Sequence, residues 1–142
     1  KRMIEYLESL EGIDAAALAG GFFVGWPNPP SPERHLALLQ GSSHVVLARE
    51  IETGMIVGFV NAISDGVLTA YIPLLEVLPQ WQGAGIGGEL MRRMVAQLGN
   101  LYMIDLLCDA ELQPWYARMG MMPATGMYTR NYARQSGETR AA

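Results

Sequence analysis

Cysteine is nearly missing from this 142-residue chain: Cys108 stands alone. No internal disulfide can form, and a reducing compartment, the cytoplasm, is the expected setting. Charge is scarce too, at 17% of residues, and the balance is acidic, with a net charge of −4 and a pI of about 5.1. That excludes a basic surface of the kind that holds nucleic acid non-specifically. No apolar run approaches the roughly 18 residues that a membrane-spanning helix needs, and no apolar signal-peptide core is present near the N-terminus. The chain begins at Lys1 rather than Met, which leaves the completeness of that end open. The two histidines, His35 and His44, lack metal-ligand spacing and read as a helix-face and a strand residue, so no metal is expected. What is present is apolar: 50% of residues are hydrophobic, enough in a chain of this length for one domain with a true core. The nine methionines suit adaptable packing.

Patterning along the chain predicts ten elements. Arg2 to Ser9 reads as a strand, and Asp14 can cap a helix running to about Phe22. Trp26 to Pro30 (WPNPP) is a stiff loop, because proline fixes φ and bars regular hydrogen bonding. Ser31-Pro32-Glu33 announces a helix to about Gln40, with a cap, a proline at the first position and a carboxylate in the first turn. His44 to Arg49, Met55 to Ile63 and Val67 to Leu78 then read as an antiparallel meander turning at Glu52-Thr53-Gly54 and Asp65-Gly66. A helix over about Gly87 to Leu98 puts Leu90, Met91, Met94, Val95 and Leu98 on one face. Leu101 to Cys108 is a strand, Leu112 to Met119 a short helix, and a last strand falls within Met122 to Tyr132. The order β-α-α-β-β-β-α-β-α-β makes residues 1–130 one α+β domain, followed by a polar tail, 131–142, expected to fray.

The most informative stretch is Leu74 to Leu90, LLEVLPQWQGAGIGGEL, in which a strand passes through a glycine-dense loop into a helix. Four glycines within six residues are entropically costly unless something approaches the backbone. A phosphorylated ligand fits that need, since free N–H groups and about half a positive charge converge at a helix N-terminus. Gly83, Gly85 and Gly88 also satisfy the dinucleotide pattern G-x-G-x-x-G, with Asp109 near the acidic position. Against that stand the preceding meander, the residues Pro79 to Gln82 between strand and first glycine, and the shortness of the chain that follows. A Walker loop fails outright for want of Gly-Lys-Ser/Thr, and a plain helix-entry turn is the bland alternative.

Gln82-Gly83-Ala84-Gly85-Ile86-Gly87 resembles the (Gln/Arg)-x-x-Gly-x-(Gly/Ala) acyl-CoA signature of the GCN5-related N-acetyltransferases. LLCDAELQPWYARMGMMPATG resembles that family's fifth strand and following helix, with Trp115-Tyr116-Ala117-Arg118-Met119-Gly120-Met121 at its core. This second block is most similar to the arylalkylamine branch, although Tyr71 and Pro73 stand where that branch carries histidines. The match spans roughly residues 1–130 and is thinnest in the N-terminal third.

The resemblance implies a mixed, splayed sheet with helices on both faces, and acetyl-CoA as cosubstrate. It implies direct transfer of the acetyl group to a primary amine of a small molecule or peptide, without a covalent enzyme intermediate. The glycine loop, Gln82, Gly83, Ala84, Gly85, Ile86, Gly87 and Gly88, would hold the pyrophosphate. Leu75, Glu76 and Val77 would offer main-chain bonds to the pantetheine arm, and a backbone N–H, that of Val77, would stabilise the carbonyl oxyanion. Tyr116 would bind beside the thioester and protonate the departing thiolate, a phenol of about 10 matching a thiol of about 8.5; by residue type alone it reads as a core aromatic. Glu76 is the one carboxylate in the apolar strand LLEVL, costly there unless paired or facing a cleft. It is the candidate base, with a strand residue tied to neighbouring backbone and a water chain as its competitors. Plain alternation sets Tyr71, Pro73 and Leu75 on the opposite face, unless a bulge intervenes. Asp109 reads as a helix cap or an ammonium ligand, Trp26 as a wall of the acceptor site or plain packing, and Cys108 as a buried small hydrophobe. Dimerisation is common in the family but not specified here. A catalytically weak acyl-CoA-binding or regulatory domain is the alternative of a different class.

Overall fold

The computed structural model of the protein describes residues 3–138. Arg2, read as the start of the first strand, and residues 139–142 of the tail lie outside them. Five strands form one sheet in the order β1 (Ile4–Leu7), β2 (His44–Glu50), β3 (Ile56–Ser64), β4 (Thr69–Val77), β5 (Met103–Asp105). Neighbours are antiparallel except β4 and β5, which are parallel. The helices are α1 (Pro32–Gln40), α2 (Ile86–Gln97) and the short α3 (Gln113–Ala117).

The meander arises where the residues predict it. Asp65 accepts from the backbone N–H groups of Val67, Leu68 and Thr69 on one carboxylate oxygen, closing the β3–β4 turn, and Gly66 takes φ of 75°. Ser31 caps α1 through a bond from the Arg34 N–H at 3.1 Å. Helices lie on both faces of the sheet. Gly58 of β3 admits α2: an added Cβ there would stand 3.1 Å from Leu90 Cδ1 and 3.3 Å from Ile86 Cγ2. Its neighbour Phe59, fully buried, faces the opposite side and meets Phe22, Phe23 and His35. α2 buries Ile86, Leu90, Met91 and Met94, with Leu98 just beyond its end, but Val95 is 38% exposed and lies off the face assigned to it.

Three elements depart from the sequence reading. The helix expected from Asp14 to Phe22 is a single 3₁₀ turn, Ala15–Leu18, capped by Asp14 and followed by Gly20-Gly21, where the glycine at 21 takes φ of 107°. The strand expected from Leu101 to Cys108 shrinks to three residues, because β5 pairs with only Thr69 to Tyr71. No strand forms within Met122 to Tyr132; residues 122–131 run without regular structure and Tyr132 opens a 3₁₀ turn, Tyr132–Arg134, with Gly126 close enough that a Cβ would come within 2.5 Å of Leu107 Cδ2. The polar tail is docked as far as it is described. Gln135 Oε1 accepts from the Asn28 N–H at 2.9 Å, and Arg34 Nε donates to the Gly137 carbonyl at 2.8 Å.

Candidate active site

The site begins where β4 leaves β5. Past Tyr71 the β5 side of β4 has no strand partner among the described residues, so Ile72 to Val77 border an open gap. Between Asn61 and Ile63 the register with β3 shifts: two steps along β3 match three along β4, from Leu74 to Tyr71. A bulge therefore falls at Ile72-Pro73, and Pro73, with no N–H to place in a ladder, suits it. The bulge overturns the plain alternation expected: Tyr71, paired with Ile63, shares a face with Glu76, paired with Phe59.

Leu78 donates its N–H to the Val57 carbonyl at 2.9 Å, so alternation turns the backbone groups of Glu76 toward β3 and those of Leu75 and Val77 toward the gap. The Val77 carbonyl is taken by Gln82 Nε2 at 2.9 Å; its N–H faces the gap. Gln82 thus fixes the turn out of β4. Gly83 and Gly85 take φ of 82° and 85°, a left-handed backbone that a side chain would strain. Gly85 is also the N-cap of α2 and offers no side-chain cap, so the first-turn N–H groups at Ile86, Gly87 and Gly88 point out of the helix end. The Ile86 side chain is buried, leaving only its backbone to the site, and the Ala84 side chain is exposed. Glu89, whose charge would oppose an anion here, is ion-paired with Arg92 and Arg93, and their hydrogen bonds hold its carboxyl at about 2.

The second sequence block folds onto this loop. A Cβ on Gly87 would lie 3.6 Å from the Trp115 ring and 3.7 Å from Val77 Cγ2, so α3, β4 and the start of α2 converge. Tyr116, half-buried and edge-on to Trp115 at 4.8 Å, has its hydroxyl pushed above the usual phenol range of 10.0, first by burial and then by the neighbouring Cys108. It therefore stays protonated at neutral pH. Cys108 is partly exposed rather than buried. Asp109 stands at the cap position of a 3₁₀ turn, Ala110–Leu112, without a side-chain cap bond.

On the opposite face of β4, Glu76 is tied to neighbouring backbone. Oε1 accepts from the Phe23 N–H at 2.9 Å, and Oε2 accepts from Phe23 at 3.0 Å and Val24 at 3.3 Å. Phe23 was not legible as a site residue; it alone among the described non-glycine residues has positive φ, at 66°. The run Gly20-Gly21-Phe22-Phe23-Val24-Gly25 was the available signal. Phe22, Phe23, His35 and Phe59 pack ring against ring, with centroids 4.4 to 6.2 Å apart, and Trp26, 37% exposed, lies 4.9 Å from Phe23. A recess of about 170 Å³ opens among Leu18, Phe22, Phe23, Pro30, Pro32 and His35. Burial lowers the His35 imidazole to about 4, so it is neutral. Among the described residues no cluster of His, Cys, Asp or Glu could hold a metal.

Residues 40–120, which contain both the glycine loop and the Trp115-Tyr116 block, match the Acetyltransferase (GNAT) domain family. The crystal structure of a candidate acetyltransferase from Deinococcus radiodurans R1 is 48% identical, superposes with a TM-score of 0.92, and covers 96% of this chain and 94% of that one. An uncharacterized N-acetyltransferase of Porphyra purpurea is 28% identical over 102 residues, 70% of this chain and 59% of its own length. A chloroplastic GCN5-related N-acetyltransferase of Arabidopsis thaliana is 38% identical over 85 residues, 55% of this chain and 36% of its own length. The chain therefore spans less than two thirds of these curated relatives, at 59% and 36%. From the open edge of β4, the uncapped glycine-led helix and the matched residues together, the chain belongs to the GNAT acetyltransferase family.

Proposed function

We propose that the protein transfers an acetyl group from acetyl-CoA directly to a primary amine. The observation that carries this is the gap beside β4, which ends at the uncapped start of α2, with Trp115 against Gly87 there and Tyr116 edge-on to Trp115. Pyrophosphate takes the loop Gln82 to Gly88, and the pantetheine arm runs along Leu75 to Val77 as an added strand would. The amine nitrogen attacks the thioester carbonyl carbon, the Val77 N–H receives the oxyanion, and the C–S bond breaks as Tyr116 gives its proton to sulfur. Tyr116 regains a proton from solvent. The proton lost by the amine goes to water, since the Glu76 oxygens already accept three loop hydrogen bonds.

The acceptor is a small-molecule or peptide amine. The likeness of the Tyr116 block to the arylalkylamine branch places an arylalkylamine in the panel to be tried, although the histidine positions of that branch are Tyr71 and Pro73 here. Acetyl transfer is measured with acetyl-CoA and that panel, with thermal-shift titrations of acetyl-CoA and NAD alongside. Stabilisation by acetyl-CoA, turnover with an amine, and about a hundredfold loss of kcat in Tyr116→Phe with acetyl-CoA affinity retained are expected. Stabilisation by NAD alone restores the dinucleotide reading; acetyl-CoA binding without transfer leaves a binding or regulatory domain.

A further inference from the structure

We infer that Glu76 is a positioning residue, which anchors the segment Gly21 to Trp26 against the sheet and so sets the acceptor side of the site. This rests on the transfer reading above. Glu76 reaches across 53 and 52 residues of sequence to accept from the successive N–H groups of Phe23 and Val24. One of them belongs to Phe23, a bulky residue at φ of 66°, a conformation that persists only where the surroundings impose it. The carboxylate supplies that imposition. Two adjacent N–H groups converging on one anion form a small nest, and charge-assisted bonds to them are stronger than neutral ones.

The anchor matters because of what the segment carries. The Phe23 side chain is 3% exposed and packs with His35 and Phe59, while Trp26 leans on Phe23 from the partly exposed side. Phe22 and Phe23 also line the recess that faces Pro30, Pro32 and His35. Fixing the Phe23 backbone therefore fixes an aromatic wall next to β4, the strand along which the acetyl donor is proposed to lie. The same carboxylate cannot be released to collect a proton without freeing that wall.

The test is Glu76→Gln, nearly isosteric, with Glu76→Asp as a second variant that keeps the charge but loses reach. Amide exchange, acetyl-CoA affinity, acceptor kinetics and the pH profile of kcat/KM are measured for both. Expected is faster exchange at Phe23 and Val24 and an acceptor KM raised about tenfold, the effect of losing a charge-assisted bond in the wall that receives the amine. Acetyl-CoA affinity stays within about twofold, and the pH profile keeps its midpoints. Unchanged exchange at Phe23 and Val24 overturns the anchor. So does a collapse of kcat at constant KM with the acidic limb of the profile gone, which is the signature of a base. If the wild-type protein acetylates no amine, the transfer reading fails while the exchange data still decide the anchor.

Discussion

His35 shows how one residue can couple this fold to pH. It is 1% exposed, enclosed by three phenylalanine rings, and its Nε2 has no hydrogen-bond partner among the described residues. Charging it there is unfavourable, so burial lowers its folded-state value from 6.5 to about 4. The sign follows directly. Between those two values the unfolded chain binds a proton that the folded chain refuses, so stability falls as pH drops from about 6.5 to about 4 and levels off below. The full effect is about 3 kcal/mol, an order of magnitude for a buried imidazole. Urea denaturation of wild type and His35→Leu, at pH 7 and at pH 4.5, should show the difference between them moving in favour of the leucine variant at the lower pH. Parallel losses in both proteins would show that His35 is not the group responsible.

At the scale of elements, the glycine loop separates two kinds of glycine. Gly85 sits at φ of 85° with nothing within 4 Å of a would-be Cβ, so Gly85→Ala should cost stability through backbone strain alone, about 1–2 kcal/mol. Gly88, inside α2 and equally unobstructed, should gain up to about 1 kcal/mol as alanine. Thermal unfolding of the two variants checks the opposite signs, and a stabilising Gly85→Ala would contradict the left-handed cap. Such local requirements are what sequence discloses well. The bounds of α1, β2, β3 and α2 fall within a residue or two of those predicted, because caps, turns and periodicity reside in neighbouring residues. β5 and the absent last strand were not legible: a strand's length depends on where its partner leaves it, and β4 turns away after Tyr71. Within the candidate site, the proposed loop and the proposed acid Tyr116 are suggested by residues in a row. The Glu76–Phe23 contact joins residues far apart in sequence, and neither residue type announces the other.

At the scale of the molecule, the segment from Gly21 to Arg34 is held at two ends by distant parts of the chain. The sheet holds it at Phe23 and Val24 through Glu76; the C-terminal stretch holds it at Asn28 through Gln135 and at Arg34 through the Gly137 carbonyl. The first anchor is part-buried and charge-assisted, the second exposed and neutral at Asn28. Their strengths should differ accordingly, since a neutral surface hydrogen bond contributes only about 0.5–1.5 kcal/mol net. Pro27 lies between the Val24 and Asn28 anchors, and its fixed φ limits how far slack at one spreads to the other. Gln135→Ala should therefore speed amide exchange at Asn28 while leaving Phe23 and Val24 as protected as in wild type, and should lower Tm by no more than a few degrees. Loss of protection at all three amides would mean that the segment opens as one unit and that the tail, rather than Glu76, governs it. Retained protection at Asn28 would show that its N–H does not depend on Gln135 at all.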